Sequence, residues 1–304
     1  MRVIVTGGAG FIGSNVVKLL EGQDVKVIVL DNFSHASYRN LLDLEAEVIA
    51  ADITDESIYK KLPRIDAVMH EAAITDTTLA DDTKMIAVNY EGSKKVLNFC
   101  LDKNIPLVYA SSAGVYGETK AIARENQKLT PHNTYGYSKC LFDNYVSKII
   151  GKKNTPRIVG LRYFNVYGPG EYHKGSAASM AYQLYLQMKQ GKRPRVFKYG
   201  EQKRDFIYVK DVARITVEAL KAKKSAILNV GTGIPRSFND IIAVLNQTLK
   251  TKLESDYFDN PYGDKYQNFT QADTSLLEKI LKTTVQFSLE KGIRDYLENH
   301  LKNT

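Results

Sequence analysis

Several signatures of exported, metal-binding or nucleic-acid-binding chains are missing. Only two cysteines, Cys100 and Cys140, occur among the 304 residues. They form neither a metal-ligand spacing nor a disulfide framework, and each falls in a helical pattern. Buried free thiols in a reducing cytosol follow, and no metal site is expected. No stretch approaches the roughly 18 consecutive apolar residues of a spanning helix. The chain also enters its first apolar run at Arg2 without the charged and apolar leader of an export signal. A cytoplasmic protein with no membrane partner is the expectation. Repeats, low-complexity tracts and long linkers are absent as well. The net charge of +8 would suit an anionic partner, but the lysines are scattered over helices and tail instead of gathered with aromatics. That argues against nucleic acid and leaves a solvated basic surface or a small anionic substrate. A hydrophobic content of 43% supports a sizeable core, in one large domain or two smaller ones.

What is present begins with a short β-branched run, Arg2 to Thr6, followed by Gly7-Gly8-Ala9-Gly10-Phe11-Ile12-Gly13 and a helical pattern through Glu21. Gly8, Gly10 and Gly13 fit the G-x-G-x-x-G fingerprint, in which glycines allow the tight turn, the approach of backbone to a pyrophosphate, and close helix–strand packing. The helix start then offers unpaired N–H groups to phosphate. A second apolar run, Val25 to Leu30, ends in Asp31, near the offset at which an acid meets the adenosine ribose.

Further strands are expected at 47–50, 65–70, 105–110 and 157–161, with helical spacing between Asp82 and Lys103. Alternation of strand and helix predicts an α/β fold: a Rossmann-type doubly wound parallel sheet covered on both faces, with a smaller C-terminal α/β substrate domain. The dinucleotide-binding domain is expected over 1–170, with 205–233 returning to it, and the substrate domain over 171–304. The 105–110 strand leads into Ser111-Ser112. Tyr135 and Lys139 follow at the start of a helix, four apart and so on one face. An ammonium beside a phenol favours the phenolate, and a serine hydroxyl nearby can hold a substrate oxygen while the tyrosine moves its proton.

The run Gly7 to Gly13, Ser112, and Tyr135 with Lys139 together resemble the extended short-chain dehydrogenase/reductases of the nucleotide-sugar epimerase and dehydratase group, over nearly the whole chain. The dehydratases typically follow the serine or threonine with Asp-Glu, whereas Ala113-Gly114 stands here. The segments Arg162 to Pro169, His173 to Ser176, Lys203 to Phe206 and Tyr266 to Asp273 are similar to the ADP-glycero-manno-heptose 6-epimerases. The resemblance implies Tyr135 and Lys174 as acid/bases, with Ser112 and Lys139 completing the catalytic group. It implies substrate contacts at Asn165, Ser176, Gln183, Phe197, Arg204 and Tyr266. For the cofactor it implies Gly7, Gly10, Phe11, Ile12, Gly13, Asp31, Asn32, Arg39, Asp52, Ile53, Glu71, Ala72, Ala73, Asn89 and Val166, besides Tyr135 and Lys139. Gly170 replaces a common arginine and Gln183 a common histidine. Asp31 favours a free ribose hydroxyl and Arg39 a 2′-phosphate, so the expected cofactor is NADP, with NAD the alternative. A nucleotide-sugar substrate, ADP-heptose first, and a homo-oligomer are implied too. The rival readings are a UDP-glucose 4-epimerase-like enzyme and a non-catalytic dinucleotide sensor.

Overall fold

The computed structural model describes residues 1–76, 81–119, 121–261 and 267–301. Its centre is a seven-stranded sheet in the order β10-β6-β5-β4-β1-β2-β3, with every neighbouring pair parallel. The strands are β1 (Arg2–Thr6), β2 (Lys26–Asp31), β3 (Glu47–Ala50), β4 (Ala67–His70), β5 (Leu107–Ser112), β6 (Ile158–Tyr163) and β10 (Ala226–Val230). Side chains alternate across a strand, and here both sides are apolar. Val3 and Val5 of β1 join one cluster with Val16, Val17 and Leu20 of α1 (Phe11–Glu21) and Val212 and Ile215 of α7 (Val209–Ala219). Ile4 between them joins a second cluster with Leu97 of α4 (Ser93–Lys103) and Phe142 and Val146 of α5 (Thr134–Ser147). This two-sided burial makes the strands continuous apolar runs instead of alternating ones.

The predicted helical stretch 82–103 is three pieces: α3 (Asp82–Ile86), a π-turn from Ala87 to Gly92, and α4. The short α2 (Ser57–Lys61) precedes it, following β3. Cys100 and Cys140 are both free and buried. Two smaller sheets lie outside the large one. In the first, β9 (Lys203–Tyr208) pairs in parallel with β7 (Asn165–Tyr167) and antiparallel with β11 (Pro235–Ser237). In the second, β8 (Arg195–Phe197) pairs with β12 (Asp256–Phe258). A third apolar cluster sits among α6 (Met180–Lys189), α8 (Phe238–Leu249) and α10 (Leu289–His300), and includes Leu184, Ile241 and Ile293. Ser237 caps α8 in a full capping box with Asp240. α9 (Ser275–Leu281) sends Leu277 into the cluster shared by α1 and α7.

Within 205–233, α7 and β10 cover and extend the large sheet, and β9 lies in the three-stranded sheet beside β7, which follows directly on β6. Among the described residues no helix is long and apolar enough to cross a membrane.

Candidate active site

β1 gives way at Thr6 to a turn through Gly7, whose amide donates to Leu30 O at 2.8 Å. Gly7 has φ +68°, the left-handed region that residues with a Cβ avoid. A Cβ there would also stand 2.6 Å from the Ala72 nitrogen. The tight turn thus falls on Gly7, just ahead of the Gly8, Gly10 and Gly13 fingerprint, and Gly8 packs against Val29, to which a Cβ would come within 2.9 Å. At Gly13 a Cβ would lie 2.1 Å from the Gly7 oxygen, so only hydrogen lets α1 approach the turn. The α1 N-terminus has no side-chain cap and no acid in its first turn. Its N–H groups remain available to an anion, and the helix dipole favours one.

Beside this turn lies a cavity of 610 Å³, within the usual range for a small-molecule site. Its walls come from the residues that end β1 to β6, the edge where open α/β sheets bind ligands. Gly7, Gly10, Phe11, Ile12 and Gly13 line it, as do Asp31, Asn32, Asp52, Ile53, Glu71, Ala72, Ala73 and Val166. Asp31, at the end of β2, accepts from Ala9 N at 3.0 Å and Phe33 N at 2.8 Å. Burial pushes its carboxyl up, against the pull of those two bonds. At Asp52 burial acts the same way, but bonds from Thr54 and Asn32 prevail and hold the carboxyl below its ordinary range. The glycine turn, the uncapped helix end and the Asp31 acceptor fit the diphosphate and ribose of a dinucleotide.

Across the cavity, Ser112 ends β5 and Tyr135 opens α5, where Asn133 caps the helix through Gly136 N at 2.8 Å. The Ser112 hydroxyl accepts from Gly114 N at 3.0 Å and stands near enough to the Tyr135 phenol to act on its titration. Burial raises the phenol's pKa, Ser112 opposes this, and Glu71 adds to the rise. The net shift is upward, the reverse of the lowering expected from Lys139. Desolvation is the largest cause, and the Lys139 ammonium is engaged with Ala110 O at 2.9 Å. Burial brings Lys139 itself down to about 8, against Glu71 and Asp143, which favour its charge. Glu71 follows β4, accepts from the Tyr163 hydroxyl at 2.9 Å and is pushed by burial up to about 7.

Lys174 lies in a short strap, Tyr172–Ala177, and lines the same cavity. Its ammonium stands 5.5 Å from the centre of the Phe11 ring, on the glycine-turn side. Burial lowers its pKa, and Glu171 works the other way. The buried Glu171 anchors the strap by accepting from Gly168 N at 2.9 Å and the Ser179 hydroxyl at 2.9 Å. Asn165 and Arg204 also reach the cavity wall.

Other expected site residues stand outside that wall. Arg39 is fully exposed on a 3-10 turn and does not line the cavity. Asn89 has no exposed surface, because its side chain is spent on Ile74 N at 2.8 Å, Ile74 O at 2.9 Å and the Ser138 hydroxyl at 3.1 Å. It braces the loop after β4 against α5 and cannot meet a ligand directly. Ser176 is exposed on the strap, and Gln183 donates to Ser176 O at 3.0 Å and to Ala178 O. Phe197 packs on Phe258 in the β8–β12 sheet, 4.9 Å between centroids. Tyr266 lies outside the described residues. Conversely, Tyr163, Lys84, His35 and His173 line the cavity although they were not singled out. Tyr163 lies two residues beyond the strand expected at 157–161 and ends the observed β6. The other three sit on loops and a helix start that carry no spacing signal.

The model of the NAD dependent epimerase/dehydratase family matches residues 3–231. The chain belongs to this family. Within the wider set of solved structures, an ADP-L-glycero-D-manno-heptose-6-epimerase of Helicobacter pylori is 38% identical, over 97% of this chain and 95% of that one, with a TM-score of 0.91. A UDP-glucose 4-epimerase of Thermotoga maritima, solved with UDP-glucose, is 28% identical over 100% and 99%, with a TM-score of 0.91. A UDP-glucose 4-epimerase of Thermus thermophilus, solved with NAD, is 27% identical over 100% of both chains, with a TM-score of 0.88. The family's members are NAD-dependent epimerases and dehydratases.

Proposed function

We propose that this family member is a nucleotide-sugar epimerase that inverts C6 of the heptose in an ADP-glycero-manno-heptose, with one tightly held NAD per subunit. The observation that carries the reading is that Ser112, Tyr135 and Lys139 line one cavity together with the glycine turn. The bound nicotinamide supplies a reversible hydride acceptor. The chain's own residues do the rest. Gly114 N–H fixes the Ser112 oxygen, whose proton then points at the Tyr135 oxygen or at a substrate hydroxyl. Tyr135 takes the carbinol proton as the carbon is oxidised and gives one back on reduction. Lys139, held on Ala110 O, offsets the phenolate's charge.

Rotation about C5–C6 presents the other face of an exocyclic ketone to a fixed hydride donor, but it swings the oxygen away from Tyr135. A second acid/base is then required, and Lys174, in the same cavity with its pKa lowered by burial, is assigned that task. The 38% identity with the Helicobacter heptose epimerase over 97% of the chain supports the heptose. One observation favours a UDP-glucose 4-epimerase as the second reading: the Lys174 ammonium rests over Phe11, on the turn side, and a 4-epimerase needs no second base. For the cofactor, Asp31 in the cavity wall and Arg39 outside it support a free 2′-hydroxyl, hence NAD in place of the NADP expected from sequence. A homo-oligomer belongs to the same reading and is checked by sedimentation.

The test is turnover of ADP-, UDP-, GDP- and dTDP-sugars in deuterium oxide, with NMR of the product and mass analysis of the nucleotide released from the purified protein. Inverted C6 without deuterium, only on the ADP-heptose, and NAD without a 2′-phosphate are expected. Stoichiometric deuterium at the inverted carbon rules out hydride transfer. Inversion at C4 of a UDP-sugar selects the second reading, and released NADP refutes the cofactor assignment.

A further inference from the structure

Glu71 is a carboxylate that neither the acid/base scheme nor the phosphate-binding turn needs. Its backbone abuts the turn, since a Cβ on Gly7 would come 2.9 Å from the Glu71 carbonyl carbon. Its side chain heads the other way, toward β6 and α5. There the Tyr163 hydroxyl donates to Oε1 at 2.9 Å, and Tyr163 is held in turn by Thr216 at 2.7 Å. The Tyr163 proton goes to Glu71, so in the contact with Thr216 the Tyr163 oxygen accepts. Glu71 thus lines the cavity with its backbone against the glycine turn, and its carboxylate acts on Tyr135 and Lys139 on the other side. The charged or titratable groups that bear on it are Tyr163 from β6 and Tyr135 and Lys139 from α5. His70, the residue before it, turns its ring to Thr6 at 2.7 Å and Ser93 at 2.8 Å.

That stretch of cavity is where the nicotinamide end of a dinucleotide must lie if its diphosphate meets the turn and its hydride reaches a carbon held by Ser112 and Tyr135. Oxidised nicotinamide is a cation and the reduced ring is neutral. Glu71, pushed up to about 7, is an anion above that pH, and there it attracts the first and is indifferent to the second. We infer that Glu71 biases this site toward the oxidised cofactor, so that the enzyme rests in the form ready to take hydride from its substrate. The inference rests on the nicotinamide reading above and adds to it a residue that sets the balance between the two cofactor forms. The hydride and its electron pair still come from the substrate carbinol and return to it.

Glu71 acts on the cofactor alone and leaves the proton transfer to Tyr135. A merely structural carboxylate would, when neutralised, weaken both cofactor forms together or neither. A charge partner weakens one.

The experiment is direct binding of NAD and NADH by titration calorimetry to the full chain stripped of its own cofactor, in buffer well above the Glu71 pKa, for the wild type, Glu71→Gln and Glu71→Asp, alongside circular dichroism as a check of folding. For the Gln variant the ratio of the NADH to the NAD dissociation constant is expected to fall by at least fivefold, chiefly through weaker NAD. The Asp variant keeps the charge and recovers at least half of the change on a logarithmic scale. An unchanged ratio in Glu71→Gln, or an equal loss of both forms, overturns the inference while leaving the enzyme reading in place. Failure of the unmutated chain to bind either nucleotide overturns the enzyme reading and this inference with it.

Discussion

Removing the Asp143 carboxylate tests whether the fold and the active site share one support. Asp143 lies one helical turn after Lys139 on α5 and is 1% exposed. Its Oδ2 accepts from Arg162 Nε at 2.7 Å and its Oδ1 from the Tyr109 hydroxyl at 2.9 Å. Arg162 of β6 is 4% exposed and also donates to the Tyr116 oxygen at 2.8 Å. In Asp143→Ala the guanidinium stays buried with only neutral acceptors, and the Tyr109 hydroxyl loses its own. Breaking one side of a buried ion pair costs about 3–5 kcal/mol, because the remaining charge is left without compensation. Against a total stability of roughly 5–15 kcal/mol that is a large share. The melting midpoint should fall by roughly 6–20 °C, at about 2–4 °C per kcal/mol for a chain of this order of size. The assay is thermal and urea unfolding of Asp143→Ala, Arg162→Met and the double variant. The double should be less damaged than the sum of the singles, since Met leaves no charge to strand. A loss under about 1 kcal/mol, or strict additivity, would refute the argument that the pair is a coupled buried unit.

Four further outcomes are expected. Tyr135→Phe should lose at least about a hundredfold in turnover with unfolding unchanged, and near-normal rates would remove the phenol from the chemistry. Gly13→Ala drives a methyl to 2.1 Å from the Gly7 oxygen, so cofactor retention should collapse; a variant purified with full cofactor content would contradict the packing argument. Lys139 is depressed to about 8 from 10.5, so the unfolded state binds more protons between those values and the group's contribution to stability rises with pH across that window. Lys139→Met should therefore lose about 2–3 kcal/mol of the wild type's gain between pH 8 and 10.5, and parallel pH curves would be the contrary result. Lys174→Met should abolish C6 inversion and leave cofactor binding intact. Normal epimerisation would return Lys174 to the role of a strap residue and strengthen the 4-epimerase reading.

Much of the large sheet was legible because both faces of its strands are buried and the apolar runs are therefore continuous. Runs such as Val27–Leu30 need no partner to be recognised. The glycine turn was legible as a motif but not in its register: only the backbone shows that Gly7, pressed against Ala72, takes the left-handed conformation. Ser112, Tyr135 and Lys139 could be read because strand ends and helix starts fix their direction. The electrostatics could not, since the upward shift at Tyr135 depends on how deeply β5, β6 and α5 enclose it. The pairing of β9 with β7 was equally hidden, because short strands at the sheet's margin carry no periodic signal of their own. Asn89 is a further case. An asparagine near a site suggests a ligand contact, yet here every bond it makes goes to the chain's own backbone and to Ser138 and Met85.

The π-turn that carries Asn89 sets where the chain can change length. A π-turn holds one residue more than the α-geometry around it, and each residue advances a helix by about 100°. Deleting a single position between 87 and 92 would therefore let the helix relax to regular winding with α3 and α4 still facing as they do now. The loss would be local, because Asn89 would leave the place from which it holds Ile74 and Ser138. A deletion at 93–95 removes no surplus residue, and would turn Val96 and Leu97 out of the core they now enter by roughly 100°. Relatives that keep this architecture should therefore lose a residue within 87–92 far more readily than elsewhere along 82–103.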